Sequence, residues 1–370
     1  MPAIHSESTP LIIHTDWSRS YGGQEIRILT ELREMRKHGF RVALIVPAES
    51  ELARRAEADG ITVYPVPFTS KFDLYSWWRL VQIVRKCRPA VVNTHSSEDS
   101  WMAGCIARLC HVPLVIRTRH VLAPISSALS YNLFPQIIFT CSSAIADQLL
   151  AQGVRPHRTV VLSTGVDEER FRFSQENRDR VRSAHGIGED EILVGNVGFL
   201  RHYKGHRFII KTAAAMPSNY RFMIVGGGGG ELAALQTLAR ELGVSGRVIF
   251  AGHQECPEEF FSAFDLCFFS SYEAEGVSQS LIQSLLNGLP VLACRIPSTL
   301  EPLDWIEDYR LVEYDDVPNA CKGLAELAGL KRRDPERMSQ QHGIIAKRYG
   351  LERMVRILIE TYGQFGITVR

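Results

Sequence analysis

No Asp-x-Asp occurs among the 14 aspartates of this chain, and it holds neither a Gly-Lys pair nor a Cys-x-x-Cys. Without Gly-Lys there is no Walker A loop, whose lysine must follow glycine onto the phosphates. Without a short acidic pair, the usual way of holding a divalent cation against a diphosphate has no candidate, and we expect no metal. The eight cysteines sit largely in apolar runs such as Leu266 to Phe269, so they read as small buried hydrophobes of a reducing compartment. No apolar stretch approaches the ~18 residues that cross a bilayer. Met1 to Pro10 is polar and carries Glu7, unlike the apolar centre of a secretory leader. The expectation is a cytoplasmic protein, at most peripheral at the inner face of the plasma membrane. A net charge of +1 gives no field that would draw nucleic acid.

What the chain does have is alternation. Short apolar runs take turns with helix-length amphipathic segments, the pattern of parallel sheets wrapped by helices. Strands are expected at Leu11–His14, Arg41–Val46, Thr62–Val66, Ala90–Thr94, Pro113–Arg117, Gln136–Cys141 and Thr159–Leu162. A charged stretch, Asp167 to Asp190, reads as the crossing to a second series. That series runs Ile192–Val197, Arg221–Val225, Arg247–Phe250, Leu266–Ser270, Pro290–Cys294 and Tyr309–Val312. With 370 residues, and roughly 150 per domain as a prior, two α/β domains follow. Their expected spans are 1–170 and 190–348, with a last helix in 349–370 packing back toward the first.

Ligands of open α/β sheets bind beyond the carboxyl ends of strands, so the loops there are the first candidates for a site. After the first strand comes Ser20-Tyr21-Gly22-Gly23-Gln24-Glu25, whose paired glycines let backbone approach something bulky. The first strand of the second half leads into Val197-Gly198-Phe199-Leu200-Arg201-His202-Tyr203-Lys204-Gly205. Its two cations can neutralise a diphosphate. Five glycines, Gly226 to Gly230, separate a strand from a helix but break the G-x-G-x-x-G spacing at Glu231, so they equally suit a tight turn. Ser270 to Gln283 carries Glu273 and Glu275 before a helix opening near Ser278, where N–H groups face an anion.

Together Gly22-Gly23-x-Glu25, Gly198-Phe199-Leu200-Arg201-x-x-Lys204-Gly205, the glycine-rich turn, Arg247-Val-x-Phe-x-Gly252 and Glu275-Gly276-x7-Gly-x-Pro resemble glycosyltransferase family 4. The resemblance spans Leu11 to Tyr362. It implies the GT-B fold, two Rossmann-like domains facing each other across a donor-binding cleft. It implies donor-diphosphate contacts from Arg201 and Lys204, donor-sugar contact from Glu275, and N–H groups from Gly276, Val277 and Ser278. Gly22 and Gly23 would let the first loop close over the diphosphate, and His120 would lie beside the donor sugar. Glu275 and His120 are thus the expected catalytic residues. Two positions depart from the family pattern. Phe199 stands where an arginine is usual, which shifts that role to Arg201. Gln283 stands where a glutamate usually holds the ribose hydroxyls; an amide still hydrogen-bonds a diol without charge assistance. The glutamine variant resembles members that build bacterial lipopolysaccharide or other surface polysaccharide.

The implied reaction is retaining transfer of a hexose from a UDP- or GDP-sugar to a glycan or lipid-linked acceptor, the nucleotide sugar being a co-substrate and no cofactor being needed. Departure of the diphosphate would be stabilised by Arg201, Lys204 and the helix beginning at Ser278. The acceptor is expected around His95 to Glu98 and Ser126 to Tyr131. A glycosidase needs two carboxylates flanking the bond, and Glu273 and Glu275 share one loop. A sugar-nucleotide 2-epimerase of the same fold, or a non-catalytic sugar-nucleotide binder, are the alternatives. Lys71, Trp77, Trp78, Arg79, Arg85, Lys86 and Arg88 crowd one segment, which suits an anionic membrane surface. Its face of Trp77, Leu80, Val81 and Val84 equally suits packing on the sheet.

Overall fold

A computed structural model describes residues 9–273, 276–330 and 334–369. The chain divides into two compact units, Met1–Gly165 with Glu352–Arg370, and Val166–Leu351.

The first unit runs β1 (Leu11–Thr15), α1 (Gly23–Lys37), β2 (Arg41–Val46), α2 (Glu51–Ala58), β3 (Thr62–Pro65), α3 (Leu74–Cys87), β4 (Val91–Thr94), α4 (Ser97–Leu109), β5 (Leu114–Arg119), α5 (Leu129–Leu133), β6 (Ile137–Thr140), α6 (Ser143–Ala151) and β7 (Thr159–Val161). Its seven strands are parallel, in the order β3-β2-β1-β4-β5-β6-β7. Side chains of a strand alternate between faces, so both faces must be apolar when helices cover both. In β2, Ala43 and Ile45 enter the cluster under α3 and α4, while Leu44 and Val46 enter the one under α1 and α2.

The second unit repeats the plan with α7 (Gln175–Ala184), β8 (Ile192–Val197), α8 (His206–Ala215), β9 (Tyr220–Val225), α9 (Leu232–Glu241), β10 (Val248–Gly252), α10 (Pro257–Ala263), β11 (Leu266–Phe269), α11 (Gln279–Leu286), β12 (Val291–Cys294), α12 (Pro297–Leu303), β13 (Tyr309–Val312), α13 (Val317–Ala328) and α14 (Pro335–Tyr349). Six parallel strands lie in the order β10-β9-β8-β11-β12-β13. Cys267 and Phe269 of β11 face one core cluster, Phe268 the other. The last helix, α15 (Leu351–Gln364), joins the first unit from Glu352, where Tyr362 meets Phe40 edge-to-face at 5.7 Å.

One segment differs from its sequence reading, and a second follows the packing alternative that its reading left open. The charged stretch read as a crossing contains α7 and belongs to the second unit. There Arg178 and Arg182 donate to the two oxygens of Asp265 at 2.7 and 3.0 Å, and Leu193 N–H donates at 2.8 Å. Burial pushes the Asp265 carboxyl up, but the two guanidiniums and the Leu193 bond outweigh it and hold the carboxyl below its usual range. Polar residues here are therefore a buried network, which hydrophobic periodicity cannot reveal. In α3, Leu80 and Val84 are buried and Trp77 and Val81 pack against the same core. That face is structural, and Trp77 further donates its Nε1–H to the Lys71 carbonyl at 3.0 Å.

Candidate active site

Where strand order reverses, the loops leaving neighbouring strands diverge and open a crevice at the carboxyl edge. The reversal falls between β1 and β4 in the first unit and between β8 and β11 in the second.

In the second unit the loop after β8 carries Arg201 and Lys204, and the loop after β11 leads to α11. The backbones of the two loops are tied together. Tyr272 N–H donates to the Tyr203 carbonyl at 3.1 Å, and Ser270 Oγ–H to the Lys204 carbonyl at 2.8 Å. Tyr272 Oη and His202 Nδ1 share a further hydrogen bond. The glycine run sits against the same loop. A Cβ on Gly226 (φ +154°) would collide with the Gly198 carbonyl, and one on Gly229 (φ +70°) with that of Leu200. These glycines therefore serve the close passage of two backbones, the tight-turn reading, and seat the loop that bears Arg201. Arg201 itself is exposed; its guanidinium reaches the Tyr203 hydroxyl at 3.4 Å and lies 5.5 Å from the centre of the Phe199 ring.

Gly276, Val277 and Ser278 are half-buried and lead directly into α11, whose N-cap is Ser278. The Ser278 hydroxyl does not cap the helix; it pairs with Ser280 Oγ at 3.1 Å. The N-terminus of α11 thus has no serine oxygen folded over it. Gln283 is half-buried on the second turn of α11. So Arg201, Lys204, Gly276, Val277, Ser278 and Gln283 come to adjacent loops and one helix of the second unit. Glu275 lies outside the described residues, while Glu273 is exposed.

In the first unit, Gly22 is the N-cap of α1, and Glu25 closes the first turn by accepting the Gly22 N–H at 2.7 Å. Beside it, Asp16 Oδ1 accepts from Trp17 N–H, Gln24 Nε2 and Ser96 Oγ, each at 2.9 Å. Asp99 closes the α4 capping box and takes the Thr15 hydroxyl at 2.6 Å. Burial, then each carboxylate's acidic neighbour, raises Asp16 to about 6 and Asp99 to about 7.

His120 follows directly on β5 and is buried. Its Nε2 lies 2.9 Å from His95 Nδ1 and its Nδ1 lies 3.4 Å from Cys141 Sγ. His95 Nε2 continues to His14 Nδ1 at 3.0 Å. The three rings form a stack with centroids 5.0 and 5.1 Å apart. Arg27 flanks it, donating to Glu31 at 2.6 Å and to Cys141 Sγ at 3.0 Å. Burial lowers His14 to about 4 and takes His95 and His120 well below the ordinary imidazole range.

Sequence reading did not single out His14, Asp16, Asp99, Arg27, Glu31 or Cys141. One signal was available: His14, His95 and His120 each fall within two residues of the carboxyl end of β1, β4 or β5, strands adjacent in the sheet.

A family model described as Glycosyltransferase Family 4 matches residues 21–170, and one described as Glycosyl transferases group 1 matches residues 177–317. A D-inositol 3-phosphate glycosyltransferase of Mycobacteroides abscessus is 30% identical over 338 residues, covering 78% of this chain and 75% of that protein. The chain belongs to glycosyltransferase family 4. Its fold is that of GT-B enzymes. The crystal structure of HepE from Anabaena, solved with UDP and glucose, superposes with a TM-score of 0.84 at 19% identity, over 95% of this chain and 99% of that one. The apo lipopolysaccharide outer core galactosyltransferase WaaB superposes with a TM-score of 0.71 at 14% identity, over 96% and 100%. Among the described residues no helix is long and apolar enough to cross a membrane.

Proposed function

We propose that this glycosyltransferase moves a hexose from a UDP- or GDP-sugar to a glycan or lipid-linked acceptor with retention of configuration, in lipopolysaccharide or other surface polysaccharide synthesis. The observation that carries the reading is the tied pair of loops after β8 and β11. It puts Arg201 and Lys204 on a loop fixed to the one leading into the N-terminus of α11. A departing diphosphate needs cations and N–H dipoles already in place, because they then need no reorganisation as charge develops. HepE bound to UDP and glucose supports a uridine nucleotide as the first donor to try, and WaaB supports a lipopolysaccharide context.

Arg201 and Lys204 neutralise the leaving diphosphate, Gly276 to Ser278 offer N–H groups, Gln283 holds the ribose diol, and Glu275 and His120 attend the sugar. Gly22 and Gly23 leave room for the phosphates. In this reading Arg201 and Lys204 neutralise the charge that a divalent ion would otherwise neutralise, and no metal or cofactor takes part. A thermal-shift series with UDP, GDP, ADP and their sugars tests the donor. A true donor at 100 times its dissociation constant stabilises by about 2.7 kcal/mol. If none of the sugar nucleotides shifts the transition, the reading fails; if a UDP-sugar alone is converted to its epimer, transfer is the wrong reaction.

The same reading includes peripheral contact with an anionic membrane. The amino end of α3 and the residues before it expose Phe72, Leu74, Tyr75 and Trp78 to 77, 82, 58 and 56% of their surface, beside exposed Lys71. Large apolar side chains in one short segment are costly in water and suit the acyl boundary of a bilayer.

A further inference from the structure

The stack of three histidines ends on groups of fixed hydrogen-bonding character. At one end Glu31 Oε2 lies 3.9 Å from His14 Nε2, with Arg27 holding the other carboxylate oxygen. The gap is too long for a hydrogen bond and neither atom makes another among the described residues, but the charge of the carboxylate favours a proton on the nitrogen that faces it, so His14 carries its proton on Nε2 and leaves Nδ1 bare. His95 must then donate from Nε2 to that nitrogen, which bares its own Nδ1. His120 in turn donates from Nε2 to His95, and its Nδ1 requires a donor. Cys141 is placed to be that donor: its sulfur accepts from Arg27 at 3.0 Å and faces His120 Nδ1 at 3.4 Å. All donors point one way, from thiol to carboxylate. Reversing the chain would turn a bare His14 nitrogen toward a carboxylate, lone pair against lone pair.

We propose that Cys141, His95 and His14 are positioning residues that hold His120 as a neutral imidazole protonated on Nε2. The inference rests on the reading of His120 as a residue beside the donor sugar. The chemistry gives the arrangement a purpose. A sugar leaving its diphosphate gains positive charge, so an imidazolium beside it would oppose the reaction while a neutral ring does not. Every charged neighbour acts in the same sense or lies at the far end. Arg27 and Arg119 oppose protonation of His120, and Glu31 pairs with Arg27 at the His14 end. Burial keeps the Cys141 thiol protonated, as donation requires.

Nitrogen-15 spectra of the full chain with labelled histidine report which ring nitrogen carries the proton. The expected result is protonated Nε2 and bare Nδ1 on all three rings, unchanged from pH 8 to pH 5. Cys141→Ser keeps a donor and keeps the pattern; Cys141→Ala removes it and leaves His120 as a mixture of tautomers. Cleavage of UDP-glucose is measured alongside. Cys141→Ala lowers kcat by about 10- to 100-fold with KM little changed, and Cys141→Ser restores it. A proton on His120 Nδ1 in the unmodified chain, titration of His120 near 6.5, or a Cys141→Ala spectrum like that of the parent overturns the proposal. So does the expected spectrum combined with unchanged kcat in Cys141→Ala. A parent that cleaves no sugar nucleotide instead counts against the function proposed above, and the spectra still decide the chain.

Discussion

Glu25 Oε2 accepts the N–H of Gly22 at 2.7 Å and thereby closes the first turn of α1 on itself. Gly22 has φ −150°, open to any residue, and a Cβ there would meet nothing nearer than that same oxygen at 3.6 Å. Neither backbone conformation nor packing therefore demands glycine. What its missing side chain leaves is access to the helix N-terminus. Gly22→Ala should fold with an unchanged melting temperature yet bind UDP-sugar at least about tenfold more weakly, since a methyl group would stand where an anion approaches. Titration calorimetry beside a melting curve decides it: intact binding removes Gly22 from the donor site. Glu25→Ala should instead cost about 1 kcal/mol of stability, the usual value of a lost cap.

Arg201→Ala and Lys204→Ala should each reduce kcat/KM for transfer by about 100-fold or more, as loss of a preorganised donor to a developing anion does. Their loop is fixed by the backbone bond from Tyr272 to Tyr203, so the folded structure should survive both changes. Parent-like kinetics in both variants would remove the β8–β11 crevice from the mechanism. Chelation by EDTA should leave the parent rate unchanged.

Glu275→Gln should lower kcat while the melting temperature stays put, and Glu273→Gln should change neither quantity. The opposite ranking would show that the acid touching the donor sugar is Glu273. His120→Ala should lose turnover as well.

The buried histidines also make a thermodynamic prediction. His14 sits at about 4 in the folded chain against 6.5 when unfolded, so between these values the unfolded chain binds the extra proton. Its contribution is complete above pH 6.5 and is lost as pH falls toward 4. Asp16 and Asp99, raised by burial, act in the opposite sense, so the total profile sums opposing terms. The difference between the parent and His14→Phe removes the Asp16 and Asp99 terms and leaves that of His14 together with its effect on His95 and His120. Across that window the parent should lose ground to the variant by up to about 1.4 kcal/mol per pH unit. Urea titrations at pH 4.5, 5.5 and 7 measure it, and a constant gap would show that His14 takes up its proton in the folded state.

How much of this could be read in advance follows from what each feature is made of. β8 and β13 have the bounds their apolar runs suggested, and the helix read as opening near Ser278 begins at Gln279. Buried parallel strands write themselves as apolar runs, and caps as Ser, Asp or Gly. Helix α7 was hidden because its inward side chains include Arg178 and Arg182, paired with Asp265. The His14–His95–His120 stack was hidden for a related reason. Its members are 25 and 81 residues apart in sequence and meet only once β1, β4 and β5 lie side by side.

Membrane contact can be predicted in more detail from α3 than from its sequence. The apolar side chains Phe72, Leu74, Tyr75 and Trp78 gather at the amino end of the helix, while exposed Arg85, Lys86 and Arg88 lie at its other end. Eight residues separate Trp78 from Lys86, about 12 Å of helix at 1.5 Å per residue. That distance exceeds a Debye length at physiological salt, ~8 Å, so the two ends respond to different properties of the surface. Binding to vesicles with anionic lipid should then fall in two separable ways. Phe72→Ser with Trp78→Ser should weaken it at every ionic strength, because the apolar term is lost. Arg85→Glu with Lys86→Glu should weaken it at low salt and matter little at high salt, each cation being worth about 1 kcal/mol near such a surface. Cosedimentation with vesicles at two salt concentrations reads both arms. If neither pair changes the bound fraction, α3 does not face the membrane; if the parent does not bind at low salt, the enzyme works away from it.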